Sequence, residues 1–269
     1  MKSIFVLAQM EASPDADTNL QKAALAVKEA SEIYHCDIII FPEVYMDSHP
    51  AKTPREQILS TAQPLTGDFV QGMQQLAREY HIWMVFGMTE PVHDPSVDRT
   101  YNTIVILDSE GSIVKTYHKT HMYDAFGTRE TDTFQPGDTL FDPIDTPFGR
   151  IGLFVCYELR FPEIARIQAL QGAEILIVPA AWNKGDLKSS HWKTLLTARA
   201  LENTVYVLGC DLYSQDTYMG ESMAVDPMGV PFACGGEGSC LIPCAVDTKR
   251  IYEVRQKLPC LENRRPELY

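Results

Sequence analysis

The sequence predicts an α/β fold in which helices cover buried strands. Short apolar runs alternate with segments of helical periodicity over the first two thirds of the chain, and a β-α-β pattern spans residues 151–178. After residue 205, strand patterns predominate. The 269 residues show no internal repeat, low-complexity linker or break in composition. Together these observations predict a single domain over residues 1–269.

The first half of the chain carries most of the predicted strands. A capping-box pattern at Thr18-Asn19-Leu20-Gln21 indicates the start of one helix, because Leu20, Ala23 and Val27 then recur at helical spacing. A second helix is predicted over 68–80. Strands are predicted at 3–8, 38–41, 82–88, 101–107 and 113–118, and the last two form a hairpin that turns at 110–112.

The second half begins with a long loop and then resumes the alternation. Strands are predicted at 151–155, 175–178 and 205–209, with helices over 162–171 and about 189–202, and a turn at 226–229. The loops at 47–68 and 120–138 are expected to border a binding pocket.

Composition and charge exclude several classes of protein. A net charge of −13 argues against a nucleic-acid partner, and no basic run points to a membrane surface. Seven dispersed cysteines, with no signal peptide, predict a reducing cytoplasm. Cys234, Cys240 and Cys244 lie close together in sequence, but without a Cys-x-x-Cys pair or a nearby histidine they are better explained as small apolar residues than as zinc ligands.

A cysteine at a strand-to-helix corner is the strongest candidate for chemistry. Cys156 ends the apolar run 151–155, and a helical pattern starts a few residues later, so its thiol can face a cleft from a rigid backbone. A thiol of ordinary pKa needs a base or a nearby cation to act as a nucleophile. His118, His121 and His191 are possible partners, although the sequence around Cys156 does not resemble that of a papain-like Cys/His enzyme.

A carboxylate and an ammonium offer an alternative to histidine. Glu43 follows Phe41-Pro42 at the end of a buried strand, where burial would raise its pKa towards that of a general base. Lys119 ends the strand at 113–118, where an ammonium could stabilise an oxyanion. Taken singly, a solvated loop acid and a surface lysine are the more common outcomes.

The order of these three residues carries a resemblance. Phe-Pro-Glu43, Tyr-His-Lys119-Thr-His and Gly-Leu-Phe-Val-Cys156-Tyr-Glu-Leu-Arg-Phe-Pro-Glu resemble the three catalytic blocks of the nitrilase superfamily of carbon–nitrogen hydrolases. Further segments at 179–182, 191–192, 198–203, 220–222, 226–229 and 263–269 are similar to its later blocks, so the resemblance covers nearly the whole chain.

The resemblance implies a fold and a set of roles. It implies a four-layer αββα sandwich, with chains paired as a homodimer or higher homo-oligomer through helices near the nucleophile and a C-terminal tail, 247–269, at a subunit interface. It assigns Cys156 as nucleophile, Glu43 as general base and acid, and Lys119 as the cation that stabilises the oxyanion. Glu130 matches a supporting glutamate beside that lysine, and the backbone N–H of Tyr157 would also face the oxyanion. No metal and no organic cofactor is required.

The substrate is expected to be a small-molecule amide. The segment Cys-Tyr-Glu-Leu-Arg-Phe-Pro at 156–162 resembles the omega-amidases and deaminated-glutathione amidases, although its Glu158 stands where that branch often has Asp. Arg160 could pair with a substrate carboxylate or anchor a helix or an interface. Trp182 and Tyr157 could form pocket walls or pack in the core. N-carbamoyl hydrolysis by the same triad and a catalytically silent interaction protein stay as alternatives, and nitrile hydrolysis is least favoured.

Overall fold

Two six-stranded β-sheets, packed face to face and covered by helices, make up the structure. The computed structural model describes residues 2–50, 52–94 and 96–268, so Met1 and Tyr269, at the ends of the predicted domain, lie outside the described residues. The αββα sandwich that the family resemblance implies is confirmed.

Alternation along the strands explains the layers. In strand β1, Phe5 and Leu7 contribute to the core between the two sheets, whereas Val6 and Ala8 face the helices on the outside of the first sheet. Successive side chains of a strand point to opposite faces, so a strand that is apolar at every position is buried on both faces.

The first sheet combines parallel and antiparallel pairs. Its strands are β1 (Lys2–Gln9), β2 (Ile38–Ile40), β3 (Trp83–Pro91), β4 (Thr100–Leu107), β5 (Ile113–His118) and β12 (Cys240–Asp247), in the order β12-β1-β2-β3-β4-β5. β1, β2 and β3 are parallel, and β4 is antiparallel to both β3 and β5. β2, β3 and β5 therefore end at the same edge of the sheet.

The second sheet has a parallel centre. Its strands are β6 (Ile144–Thr146), β7 (Gly149–Leu153), β8 (Ile175–Ala180), β9 (Tyr206–Asp211), β10 (Met223–Val225) and β11 (Pro231–Cys234), in the order β11-β10-β9-β8-β7-β6. β7, β8 and β9 are parallel, so their carboxyl ends also share one edge.

Helices cover the outer face of each sheet. α1 (Ala16–Glu32) and α3 (Asp68–Tyr80) pack on the first sheet, with α2 (Arg55–Thr61) between them in sequence. α4 (Pro162–Leu170) and α5 (Lys188–Asn203) pack on the second sheet, and α6 (Lys249–Lys257) follows β12. In the described ranges no helix is both long and apolar enough to span a membrane.

Most predicted elements are confirmed, and three details need correction. The first helix starts earlier than expected, because Asp15 rather than Thr18 caps it by accepting a hydrogen bond from the backbone N–H of Asp17. The loop at 47–68 contains the short helix α2, and the C-terminal region contains α6 where strands were expected. Both helices are short, with 7 and 9 residues. Neither therefore carries a long apolar stripe at helical spacing, which is the signal that predicts a helix from sequence.

A glycine in β3 allows the loop that carries Glu43 to approach the sheet. A Cβ on Gly87 would lie 2.4 Å from the backbone nitrogen of Val44 and 2.8 Å from the Cα of Glu43. Gly87 also holds this loop by two backbone hydrogen bonds, to Pro42 and from Met46.

Gly87→Ala is therefore expected to lower the free energy of unfolding by about 1–3 kcal/mol, as overpacking of a backbone contact does, and to reduce activity by displacing Glu43. Urea unfolding monitored by circular dichroism measures the stability. Gly236→Ala is the matched control, because a Cβ there meets nothing within 4 Å. Equal stability of the two variants would contradict the prediction.

Candidate active site

A cavity of about 320 Å³ opens where the strand ends of the two sheets meet. Glu43 follows β2 and Lys119 follows β5 at one edge of the first sheet, and Cys156 follows β7 in the second. All the site residues expected from the sequence line this cavity: Glu43, Lys119, Glu130, Cys156, Tyr157, Arg160 and Trp182. Both loops expected to border a pocket, 47–68 and 120–138, contribute to its wall.

Cys156 occupies a tight turn between β7 and α4. Its φ of 48° lies in the left-handed region, which a residue with a side chain adopts only when its surroundings hold it there. It begins the 3₁₀ helix Cys156–Arg160 and is 8% exposed. Burial and the negative charge of Glu43 raise the pKa of the Cys156 thiol well above its ordinary value, and the charge of Lys119 opposes them. The resting thiol is therefore protonated.

Lys119 lies between two carboxylates. Its Nζ is 2.8 Å from Oε1 of Glu43 and 2.8 Å from Oε2 of Glu130. Burial acts to lower the pKa of Lys119, but the charges of Glu130 and Glu43 outweigh it and raise that pKa well above its ordinary value. Lys119 is thus a fixed positive charge, buried to 2% exposure at the base of the cavity.

Glu43 is oriented from three directions. Oε1 accepts hydrogen bonds from Lys119 and, at 2.8 Å, from Nδ2 of Asn102, while Oε2 accepts one from the backbone N–H of Ala181. Glu130 is held similarly, by Lys119 and, at 2.6 Å, by the backbone N–H of Tyr123. Asn102 was not anticipated from the sequence, because an asparagine inside an apolar strand gives no pattern of its own.

Glu158 joins the cysteine turn to the segment on either side of Lys119. Its side chain is fully buried, and Oε2 accepts a hydrogen bond from the backbone N–H of Val155. Oε1 accepts from the Tyr117 hydroxyl, from both N–H and hydroxyl of Thr120, and from the N–H of His121. Burial would raise the pKa of Glu158, but its interactions with the His121 side chain, with Thr120 and with the Val155 N–H lower it below its ordinary value.

A second buried acid supports the loop after β8. Oδ1 of Asp211 accepts a 2.6 Å hydrogen bond from the backbone N–H of Trp182, next to the Ala181 N–H that binds Glu43. Burial and the charge of Glu43 raise the pKa of Asp211 well above its ordinary value. Asp211 therefore orients this loop through its hydrogen bond to the Trp182 N–H.

The alternatives based on histidine and zinc find no geometric support. His118, His121 and His191 do not line the cavity, and His118 instead bonds to Glu90 at 3.0 Å. Among residues 2–50, 52–94 and 96–268, no group of three or more histidine, cysteine or acidic side chains could hold a metal.

Trp182 satisfies both of its expected roles. It lines the cavity and also packs against Trp192, with ring centroids 5.2 Å apart. Arg160 lies over the same indole ring, with its guanidinium carbon 4.9 Å from the centroid. Lys188, which the sequence did not single out, also lines the cavity, with its Nζ 5.8 Å from the ring centroid of Trp182.

Comparison with known proteins identifies the family. A family model described as carbon-nitrogen hydrolase matches residues 7–256. The chain belongs to the carbon–nitrogen hydrolase family. This carbon–nitrogen hydrolase is 36% identical to deaminated glutathione amidase of Mus musculus over 281 residues, which cover 99% of this chain and 84% of that protein. It is 34% identical to omega-amidase NIT3 of Saccharomyces cerevisiae, over 96% of this chain and 91% of that protein.

The crystal structure of Saccharomyces cerevisiae Nit3, a member of the nitrilase superfamily, superposes with a TM-score of 0.86 at 31% identity and covers 98% of this carbon–nitrogen hydrolase and 97% of that chain. Membership of the superfamily and the expectation of an amidase-type enzyme are therefore confirmed.

Glu158→Gln is expected to lower the free energy of unfolding at neutral pH by about 1–3 kcal/mol, because an amide N–H₂ would face backbone donors in place of an acceptor. Since the pKa of Glu158 is lowered in the native state, its ionised form stabilises the fold above the ordinary value of 4.5, and this contribution is lost as the pH falls through the native pKa. The stability difference between wild type and variant should thus narrow in acid.

Urea titrations between pH 7 and pH 3 measure this difference. Glu163→Gln, which alters an exposed acid in the first turn of α4, is the matched control and should show little change. A difference that stayed constant with pH would show that the carboxylate charge of Glu158 does not stabilise the turn.

Proposed function

We propose that this carbon–nitrogen hydrolase cleaves the primary amide of a small molecule through a thioester on Cys156, as an omega-amidase-like enzyme. The observation that supports this most directly is the meeting of Glu43, Lys119 and Cys156 at one buried cavity. The relatives named omega-amidase and deaminated glutathione amidase support the same type of substrate.

In the first half of the proposed reaction, Glu43 removes the proton of the Cys156 thiol as its sulfur attacks the amide carbon. Because burial keeps the thiol protonated, deprotonation has to accompany the attack, which calls for a base within the cavity. The oxyanion that forms is stabilised by Lys119 and by the backbone N–H of Tyr157. Glu43 then donates its proton to the leaving nitrogen, the C–N bond breaks and ammonia departs.

In the second half, water replaces ammonia. Glu43 takes a proton from the water molecule while its oxygen attacks the thioester carbon, and Lys119 again stabilises the oxyanion. The C–S bond breaks, the proton returns to sulfur and the carboxylic acid leaves. Each turnover thus consumes one water, releases one ammonia and restores the starting protonation of the site.

The fixed charge of Lys119 suits both halves. A cation held between Glu43 and Glu130 does not gain or lose a proton near neutral pH, so it can stabilise an oxyanion without taking part in proton transfer. In this proposal Glu130 is a supporting residue that orients Lys119, and Glu43 alone moves protons.

Cys156→Ala is expected to abolish ammonia release from glutaramate, a five-carbon chain with a carboxylate at one end and a primary amide at the other, since the thioester cannot form. A coupled ammonia assay measures the rate, and circular dichroism verifies folding. Cys260→Ala, which removes a partly exposed thiol outside the cavity, should keep its activity. Ammonia release by the folded Cys156→Ala variant would contradict the assignment.

The same assay separates the alternatives. Pentanamide, N-carbamoyl-β-alanine and pentanenitrile can each release ammonia, from an amide, a carbamoyl group and a nitrile. Cys156-dependent release from N-carbamoyl-β-alanine alone would favour carbamoyl hydrolysis. No release from any of these compounds by folded protein would favour an interaction protein.

We also propose that two copies of the chain pair through α4 and α5. Ile167 and Leu170 of α4 and Leu201 of α5 are between 40% and 47% exposed, although they are large and apolar. Both helices pack on the 3₁₀ helix that begins at Cys156. A contact between copies at this face would shield these side chains from water. The role of the tail 247–269 at an interface and the cytoplasmic location stay predictions from the sequence.

Size-exclusion chromatography with light scattering is expected to give the mass of a dimer or a higher oligomer. The double variant Ile167→Glu with Leu170→Glu should shift this mass towards 30.3 kDa, that of the single chain, because two charges would be buried in the contact. A monomeric wild type, or an oligomer unaffected by both substitutions, would contradict the proposed pairing.

A further inference from the structure

Lys188 places a buried positive charge at the cavity. It is the first residue of α5, is 9% exposed and lines the same cavity as Cys156. Its Nζ donates a 2.9 Å hydrogen bond to the hydroxyl of Tyr123 and lies 4.5 Å from the ring centroid of Phe126 and 5.8 Å from that of Trp182. Aromatic faces and a hydroxyl thus surround this ammonium.

This charge has no counter-ion in the part of the chain that the structure describes. No carboxylate of residues 2–50, 52–94 or 96–268 lies within 4 Å of Nζ of Lys188. The acids of the cavity wall have other partners: Glu43 and Glu130 bind Lys119, and Asp47 accepts from Thr61 and Thr89. Proteins rarely bury a charge without pairing it, so an unpaired cation facing a cavity favours an anionic ligand.

Arg160 adds a second cation on the same aromatic ring. Its guanidinium lies over the indole ring of Trp182, and its Nη2 lies 3.5 Å from Nδ1 of His191. The ion pairs of the described residues do not include one for Arg160 either. Lys188 and Arg160 therefore both approach the indole ring of Trp182. Both retain donors for a ligand, since an ammonium has three N–H groups and a guanidinium five.

We propose that Lys188 determines substrate specificity by binding, together with Arg160, a carboxylate at the end of the substrate that does not react. This proposal rests on the proposed amidase function and assigns a residue to the recognition of the substrate. The ligand it selects is an amide that carries an anionic group on the same small molecule.

The position of the two cations suits such a substrate. Arg160 is four residues from Cys156 in one 3₁₀ helix, which places their backbones about 8 Å apart along its axis at roughly 2 Å per residue. Trp182, against which both cations lie, directly follows Ala181, whose N–H binds Glu43. A substrate whose carboxylate is bound by the two cations can thus place its amide at Cys156.

A purely structural role for Lys188 leads to a different expectation. Lys188 could serve only to hold Tyr123, whose backbone N–H binds Glu130. Loss of that support would disturb Glu130 and Lys119 and would slow the hydrolysis of every amide by the same factor. Loss of a carboxylate-binding group would instead slow the hydrolysis of anionic substrates more than that of neutral ones.

The test compares kcat/KM for glutaramate with that for pentanamide, which has the same chain length and no charge. In wild type, glutaramate should be the better substrate. Lys188→Met should lower the ratio of kcat/KM for glutaramate to that for pentanamide about tenfold or more, which is the effect of losing a hydrogen bond to a charged group. The main change should be an increase in KM for glutaramate. Lys184→Met is the matched control, because this exposed lysine lies on the loop that precedes Lys188 and outside the cavity wall.

Each outcome decides the proposal. A wild-type enzyme that prefers pentanamide overturns it without any variant, and so does a folded Lys188→Met variant in which the two values of kcat/KM fall equally. If Lys188→Met fails to fold, inhibition of the wild-type enzyme tests the same point, because pentanoate should inhibit pentanamide hydrolysis at least tenfold more strongly than pentan-1-ol, which has the same length and no charge. Absence of Cys156-dependent ammonia release from both amides would instead overturn the proposed function itself.

Discussion

The ion pairs of Lys119 with Glu43 and Glu130 are the interaction on which the rest of the site depends. Removing one partner of a buried ion pair of this kind costs about 3–5 kcal/mol. With both carboxylates in place, Lys119 stays charged beside a thiol that stays neutral. The supporting contacts, from Asn102 to Glu43 and from the Tyr123 N–H to Glu130, fix these carboxylates rather than the lysine.

The two sheets bring these groups together because parallel strands end at a common edge. Glu43 and Lys119 come from the first sheet, whereas Cys156 and the Ala181 N–H come from the second. No single supersecondary unit contains the site. Functional side chains positioned on loops by a rigid scaffold can differ between proteins of one fold, which allows that fold to serve different substrates.

The sequence was informative where a local pattern reports a local structure. The bounds of α3 were predicted at 68–80 and are Asp68–Tyr80, because this helix has a continuous apolar stripe and a left-handed residue, His81, at its end. The ordered blocks around Glu43, Lys119 and Cys156 identified the family for the same reason: each block is a short run with its own chemistry.

Contacts between segments that are distant in the chain could not be predicted from the sequence. Asn102 and Asp211 act on Glu43 and on the loop of Trp182 through the packing of strands far apart in the chain, and neither has a sequence pattern that reveals this. Lys188 follows a loop with polar residues and reads as a surface lysine, since its burial depends on three aromatic rings from elsewhere. The capping residue of α1 was misplaced because Asp15 and Thr18 are both good caps and lie three residues apart.

The hydrogen bonds of Glu158 have a consequence for the way the enzyme matures. This side chain belongs to the turn of Cys156, yet most of its donors, Tyr117 and Thr120 among them, belong to the segment on either side of Lys119, at the end of the other sheet. A chain in which only one sheet has formed therefore lacks both the cation and the anchored turn, and its thiol has no more reactivity than that of any other cysteine. Under the proposed mechanism, Cys156 becomes an activated nucleophile only when both sheets are in place, so a newly made chain carries no such thiol before its tertiary structure is complete.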